Sequence, residues 1–346
     1  LPGDDHRPGL DAAQAVDALF LREAGEQVFE AESGGLVDQA ADFHGDGKLD
    51  LGGAAFGWHT VGGIFVYENL TTDWKQPKFE GYPVDARPGG IHVPIADLNQ
   101  DGKPDFVALI SQQFEHVVAF VNRGAGKGFR AETIFRAVVP VWGSSGIQMV
   151  DMDKDGDLDL LMSNGDSLDD FTVRPFHGIR WFENDDSYPW KQHDLAIMPG
   201  VHRAQAADVD GDGDLDVVAV AFLPNAEHPA FQLLERQGDL APLTSLGWLE
   251  QTKPGVFVPH PLEQGKLTHT TLDLGDIDGD GDVDVLTGNF VGFTFTKTDT
   301  GFKADAFMRP MDIVGRGGVT LAEAWDPRPN AYLSISIPEF PNLFML

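Results

Sequence analysis

The residues of this chain best suited to chemistry are aspartates, and many of them gather in five short loops. The loops follow the pattern Asp-x-(Asp/Asn)-x-Asp-Gly-x-x-Asp, with an apolar residue or Pro before the last Asp. They are residues 42–50, 97–105, 151–159, 208–216 and 276–284. Oxygen ligands at alternating positions, with a Gly for the sharp turn, are what a hard cation such as calcium requires. The pattern therefore predicts calcium-binding loops.

The loops recur at a regular interval, which indicates a repeat architecture. Successive loops begin 55, 54, 57 and 68 residues apart. Repeats of this length are typical of propellers and solenoids, and the interval matches one four-stranded propeller blade. In each interval one apolar strand leads into the loop, a second leaves it, a third carries an aromatic residue and a fourth follows a Gly, Pro and Lys cluster. We therefore predict an all-β fold with four-stranded antiparallel blades.

The two ends of the chain complete the ring in this prediction. Residues 318–325, 332–337 and 342–346 read as three strands of a further repeat whose loop, at 326–330, has lost the ligands. Residues 28–32 resemble the missing fourth strand, so we expect them to complete that blade and remove its exposed edge.

The predicted architecture is a six-bladed β-propeller over residues 27–346, closed by the N-terminal strand. The blades are expected at roughly 35–88, 89–142, 143–200, 201–267, 268–310, and 311–346 plus 27–33. A seven-bladed ring is the alternative, and it would need about fifty more residues. Residues 1–26 are predicted to form an arm with a short helix that packs on the domain or docks onto a partner.

The loops and their flanking strands resemble the FG-GAP/VCBS repeat family, which includes integrin α-subunit propellers, fungal propeller lectins, propeller polysaccharide lyases and many secreted bacterial proteins. The resemblance covers residues from about 28 to 305. It implies about five calcium ions, each in the loop that joins the first and second strands of a blade. The ligands carried over by position are Asp42, Asp46, Asp50, Asp97, Asn99, Asp101, Asp105, Asp151, Asp153, Asp155, Asp159, Asp208, Asp210, Asp212, Asp216, Asp276, Asp278, Asp280 and Asp284.

The first loop departs from the family pattern because His44 stands at its third position. Imidazole suits softer metals than calcium, so we expect this site to be weak or empty. The ligands are too numerous and too evenly spread to be catalytic centres. We interpret the predicted ions as structural staples that contribute folding free energy.

Composition narrows the classes of partner and compartment. The formal net charge is −31, which argues against nucleic acid as a partner. There is no Cys, which excludes disulfides, thiolate metal sites and iron–sulfur clusters. No apolar run is long enough to span a membrane. Calcium loops of this class work where calcium is plentiful, so we expect an extracytoplasmic location, either periplasmic, secreted or at the cell surface.

Two sets of residues are candidates for binding or chemistry on the face opposite the loops. The first strands alternate, which places one set of polar side chains along the channel. That set is Gln39, His92, Gln148, Arg203, Gln205, Asp273 and Glu323. On the rim, His and carboxylate residues could bind a metal or act as acid and base. The rim candidates are Asp166, Asp170, His177 and His202.

Three functions remain open from the sequence. The first is a non-catalytic, calcium-stabilised propeller that serves as a binding or scaffold subunit of a larger protein assembly. The second is a carbohydrate-active enzyme of the lyase or dehydratase type, with the rim set as its site. The third is a lectin in which an exposed aromatic residue such as Trp58 stacks on sugar rings.

Overall fold

The computed structural model describes residues 36–57, 62–73, 75–124, 127–167, 172, 174–223, 243–265, 267–276 and 281–289, with the backbone alone for 36–38, 295–298, 301–304, 336–337 and 340–344. The regular structure in these residues is β-strand, and none of it is a helix that could cross a membrane. The chain divides into two units, Ala31–Phe290 and the segments Leu1–Glu30 with Val291–Leu346. The predicted helical arm and the predicted closing strand lie outside the described residues.

Four successive antiparallel sheets make up most of the unit Ala31–Phe290, each from one sequence repeat. The first contains β1 (Leu36–Ala41), β2 (Asp50–Ala55), β3 (Gly63–Asn69) and β4 (Phe79–Asp85). The second contains β5 (Gly90–His92), β6 (Ile95–Ala96), β7 (Asp105–Ile110), β8 (His116–Asn122) and β9 (Phe129–Arg136). The third contains β10 (Ser144–Val150), β11 (Asp159–Asn164), β12 (Gly178–Glu183) and β13 (Lys191–Ile197). The fourth contains β14 (Val201–Ala207), β15 (Asp216–Ala221), β16 (Thr244–Lys253) and β17 (Val256–Gln264).

Within each sheet the strands pair in sequence order, and burial falls from the second strand to the fourth. All six residues of β7, β11 and β15 are buried, whereas β9, β13 and β17 are mostly exposed or half-buried. In the second sheet the first-strand position is divided between β5 and β6, which both pair with β7. The predicted four-stranded antiparallel repeats are therefore present.

The core consists of apolar layers between consecutive sheets. Phe43 and Ile64 of the first repeat pack with Phe106 and Val118 of the second. Equivalent clusters join the second sheet to the third and the third to the fourth. The first strands of successive sheets lie next to one another. Sheets stacked face to face with their first strands together give this unit a propeller-like fold.

The fifth and sixth repeats are described only in part. β18 (His269–Gly275) and β19 (Asp284–Asn289) form a two-stranded sheet in the unit Ala31–Phe290. In the other unit, β20 (Phe295–Thr298) pairs with β21 (Gly301–Ala304), and β22 (Ser336–Ile337) pairs with β23 (Phe340–Phe344). These pairs overlap strands predicted for the two repeats. Six blades and a closed ring stay predictions.

Candidate functional site

The first Asp and the sixth residue, a Gly, form the same hydrogen bond in all five acidic loops. The Gly N–H donates to Oδ2 of the Asp at 2.8 to 3.1 Å. The pairs are Asp42 with Gly47, Asp97 with Gly102, Asp151 with Gly156, Asp208 with Gly213 and Asp276 with Gly281. Each Gly has a φ between 79° and 100°, which an L side chain rarely adopts. The Gly of the motif is therefore a requirement of the turn.

The last Asp of each of the first four loops ties the loop to the sheet. In the fourth loop Asp216 is 1% exposed; its Oδ2 accepts from Val209 N at 3.2 Å and its Oδ1 from Gln251 N at 2.8 Å. Asp50, Asp105 and Asp159 accept the equivalent backbone donors in their loops. These carboxylates hold the loop against the third strand whether or not a cation is bound.

Among the described residues, three carboxylates converge in the third loop and three in the fourth. Ligand atoms of Asp151, Asp153 and Asp159 lie within 4.8 Å of one another, as do those of Asp208, Asp210 and Asp212. In both loops Oδ1 of the first Asp is buried and has no hydrogen-bond partner among the described residues. A buried carboxylate oxygen without a donor is costly, and a bound cation would satisfy it. The oxygen-only donor set fits calcium.

The first two loops differ from the third and fourth because Lys or His side chains already contact their carboxylates. Lys48 Nζ lies 3.1 Å from Asp46 Oδ2, and Lys103 Nζ lies 2.5 Å from Asp101 Oδ2. In the third and fourth loops an Asp stands at the position of these lysines. Among the first four loops, the third and fourth therefore have acidic side chains that no lysine at this position compensates.

His44 occupies the centre of the first loop in place of a carboxylate. Its Nδ1 lies 2.7 Å from Asp50 Oδ2, and its Nε2 lies 3.8 Å from Glu68 Oε2. The imidazole thus satisfies an oxygen that a cation would otherwise contact. This geometry agrees with a weak or empty first site, and calcium at any of the loops stays a prediction.

Burial shifts the pKa of several loop carboxylates, with large shifts at Asp105 and Asp159. It raises the pKa of Asp105 and of Asp159 to about 6, against the opposing effect of their backbone N–H donors. A nearby divalent cation would favour the charged forms of both groups.

In the fifth loop, Asp278 and Asp280 lie outside the described residues, and only the turn at Asp276 can be compared.

The structure places two rim candidates, Asp166 and His177, beside the same glycine and a third, His202, elsewhere. Asp166 donates its N–H to Gly143 O at 2.9 Å, and His177 is fully buried beside the same Gly. A Cβ at Gly143 would lie 2.6 Å from Asp166 O and 3.3 Å from His177 Nε2, so this position has no room for a side chain. His202 contacts Thr270 and Phe222 instead. Asp170 lies outside the described residues.

A buried acid beside these rim residues was missed in the sequence. Glu115 is 4% exposed, and it accepts the N–H of Gly143 at 3.2 Å and of Ser144 at 3.1 Å. Burial raises its pKa to about 7, and the nearby Asp166 carboxylate adds to the shift. Its φ of 51° is unusual for Glu. The available signal was an acid in the short turn between two apolar strands.

Two of the predicted channel side chains, both glutamines, connect neighbouring sheets. Gln39 Oε1 accepts from Ile95 N at 3.1 Å, and Gln148 Oε1 accepts from Ala206 N at 2.7 Å. Both glutamines stand three residues before a loop, and each bonds to the next sheet. Glu323 lies outside the described residues.

A second repeated set of polar and aromatic residues was also missed. The sets are Trp181, Glu183 and His193 in the third sheet and Trp248, Glu250 and His260 in the fourth. The ring centroids of Trp and His lie 4.3 Å and 4.8 Å apart, and each His Nε2 lies 2.7 Å from its Glu. In each set the His follows the Glu by 10 residues on the adjacent strand. This recurring spacing was the available signal.

Comparison with known families agrees with the loop pattern. A model described as "FG-GAP-like repeat" matches residues 97–162 and 164–219, which contain the second, third and fourth loops. The resemblance of these repeats to the FG-GAP family is thus confirmed.

Comparison with curated proteins finds only short similarities. A 47-residue stretch is 45% identical to an uncharacterized monooxygenase of Mycobacterium tuberculosis and to one of Mycobacterium bovis, and it covers 14% of this chain and 10% of theirs. A stretch of 47 residues is 38% identical to an FAD-binding monooxygenase of Aspergillus niger, covering 14% of this chain and 8% of that protein. The chain thus spans a tenth or less of these relatives.

Among solved structures, a rhamnogalacturonan lyase of Bacillus licheniformis aligns with 75% of this chain and 58% of its own, at 10% identity and a TM-score of 0.34. A likeness at this score carries no argument about fold or function.

Proposed function

Because the chain carries FG-GAP-like repeats, we propose that it is a calcium-stabilised, six-bladed β-propeller that serves as a binding or scaffold domain outside the cytosol. The proposed ions lie in the acidic loops, and among the first four loops the third and fourth are the strongest sites. The domain acts by presenting a rigid surface to a partner protein, without catalysis.

The observation that carries this proposal is the pair of buried, unpartnered oxygens in Asp151 and Asp208. Each belongs to a loop in which three carboxylates converge. Carboxylates held this close repel one another in the absence of a cation. A sequence that repeats this arrangement gains folding free energy from the ion it binds.

The buried rim acid favours a structural role over acid–base catalysis. Glu115 has a raised pKa, as a general acid would, but both of its oxygens accept backbone N–H groups of the next sheet. A carboxylate held in this way fixes the connection between two sheets. The rim therefore supports the binding function better than the lyase or dehydratase alternative.

Calcium binding is tested by calorimetric titration of chelator-treated protein, combined with thermal unfolding at fixed free calcium. We expect binding at the third and fourth loops and a higher melting temperature with calcium. Magnesium at the same concentration should act more weakly, because it demands a tighter octahedral shell. An unchanged melting curve in excess chelator would contradict the proposal.

The non-catalytic role is tested separately with acidic and neutral polysaccharides as substrates. Unsaturated products detected by ultraviolet absorbance would favour the lyase alternative. Binding to a glycan array without turnover would favour the lectin. Neither signal is expected, whereas crosslinking in the native extract should identify a protein partner whose binding is lost on chelation.

A further inference from the structure

A half-buried arginine lies among the first strands of the unit Ala31–Phe290. Arg203 is on β14, and its Nη1 lies 3.2 Å from Nε2 of His92 on β5. The two strands belong to the fourth and second sheets, so the guanidinium reaches past β10 of the third sheet. Gly146 on β10 leaves the space for it, because a Cβ there would lie 3.1 Å from Arg203 Nη1.

The charge of Arg203 is not neutralised by a close carboxylate. Its one hydrogen bond within the described part of the chain is with His92, and no described carboxylate forms an ion pair with it. Burial lowers its pKa, and Asp273 opposes that shift from a longer distance. The chain has 55 acidic residues and 24 Lys and Arg, so an Arg without a carboxylate partner is unexpected.

His92 does not supply the missing negative charge. Arg has only donors, so Nε2 of His92 must accept, and the imidazole is neutral. Burial and the neighbouring Arg203 lower the pKa of His92 to about 4, which agrees with this assignment. At neutral pH the cluster therefore keeps the positive charge of the guanidinium.

We propose that Arg203, together with His92 and Gly146, forms a binding site for an oxyanion of a small ligand, either a carboxylate or a phosphoryl group. The planar guanidinium pairs with such groups through two parallel N–H donors. The site goes beyond the calcium-stabilised scaffold, because none of its residues belongs to an acidic loop.

The experiment is isothermal titration of the calcium-loaded full chain with three ligands at matched ionic strength and fixed free calcium. Sodium glucuronate presents a carboxylate, glucose 6-phosphate presents a phosphoryl group, and glucose is the neutral control. We expect one of the anions to bind and glucose not to bind. The anion that binds shows whether the site takes a carboxylate or a phosphoryl group. If neither anion gives binding heat, the proposal is overturned.

Two variants and one control locate the site. Arg203→Gln should weaken anion binding by about tenfold or more, because it removes a charge-assisted hydrogen bond. Gly146→Ala should also weaken it, because the added Cβ displaces the guanidinium. Arg130→Gln removes an exposed ion pair with Glu132 on β9 and should bind as the wild type does.

Equal binding by wild type and Arg203→Gln would overturn the assignment. If Arg203→Gln does not fold, the side-chain Nε–H resonance of Arg203 in the wild type decides the question. It should shift during the anion titration and stay fixed with glucose. A resonance that stays fixed with all three ligands means that Arg203 is only a structural link to His92.

Discussion

Replacing Asp208 by Asn should have opposite consequences with and without calcium. Asp208 Oδ2 accepts from Gly213 N at 3.1 Å, while its Oδ1 is buried without a described partner. Asn keeps an oxygen that can accept from Gly213 N, but it places its NH2 group at the site of the proposed ion. With calcium the variant loses a ligand, and in chelator it loses only a repulsive charge next to Asp210 and Asp212.

The size of the effect follows from linkage. A site at a calcium concentration one hundred times its dissociation constant contributes about 2.7 kcal/mol to folding. Loss of most of that contribution lowers the melting temperature by about 5 °C for a unit of this size. In chelator the variant should melt at or slightly above the wild type, since like charges about 4 Å apart cost about 1 kcal/mol in water.

Asp42→Asn is the matched control at the same position of the first loop. There Oδ1 accepts from Gly45 N at 2.7 Å and Asp46 N at 3.1 Å, and Oδ2 from Gly47 N at 2.8 Å. The control should therefore lose stability equally in calcium and in chelator. Differential scanning calorimetry of both variants in both conditions is the assay. If Asp208→Asn lowers the melting temperature equally in both conditions, the reasoning about the fourth loop is refuted.

Three further outcomes follow from the described contacts. Asp216→Asn should lower the free energy of unfolding by about 2 kcal/mol even in chelator, because a buried backbone N–H loses its acceptor; urea titration checks this, and no loss in chelator would contradict it. Lys103→Gln frees Asp101, so it should increase the calcium bound at limiting free calcium in equilibrium dialysis; unchanged uptake would contradict it. Glu115→Gln should flatten the pH dependence of unfolding. The pKa of Glu115 in the folded wild type, about 7, exceeds the reference value of 4.5, so the folded protein holds an extra proton between these two pH values. The free energy of unfolding of the wild type should therefore fall by about 3 kcal/mol as pH rises from about 4.5 to about 7. Parallel wild-type and variant curves in urea titrations from about pH 5 to pH 8 would contradict it.

The sheets could be predicted because their signals are local and repeated. The apolar strand predicted to leave the second loop is observed as β7, Asp105–Ile110, since its apolar run is bounded by the loop aspartate and by a polar turn. The last Asp of each loop was predicted as a metal ligand. Its bonds to the third strand could not be foreseen, because they join residues 17 to 35 positions apart.

Contacts between side chains on different sheets could not be predicted from the alternation of side chains along one strand. Alternation placed His92 and Arg203 on the channel side, but their contact spans 111 residues and depends on the missing side chain at Gly146. The burial of Glu115 could not be predicted for a related reason. Its burial comes from the backbone of Gly143 and Ser144 in the next sheet, which no local pattern encodes.

The two ends of the first strands are stabilised by different chemistry. The acidic loops lie at one end, and a bound cation would reduce the repulsion between the carboxylates that converge in two of them. Toward the other end, β5, β10, β14 and β18 each carry a register shift near their start, where bulges break the ladder. Ser145 Oγ donates to Val201 O at 2.9 Å, and His202 Nδ1 lies 2.9 Å from Thr270 O, so side chains link successive sheets there without a metal. Arg203 follows one of these bulges, in a region whose side-chain links do not require calcium. A ligand bound there would therefore contact a surface to which the proposed calcium ions contribute no atoms.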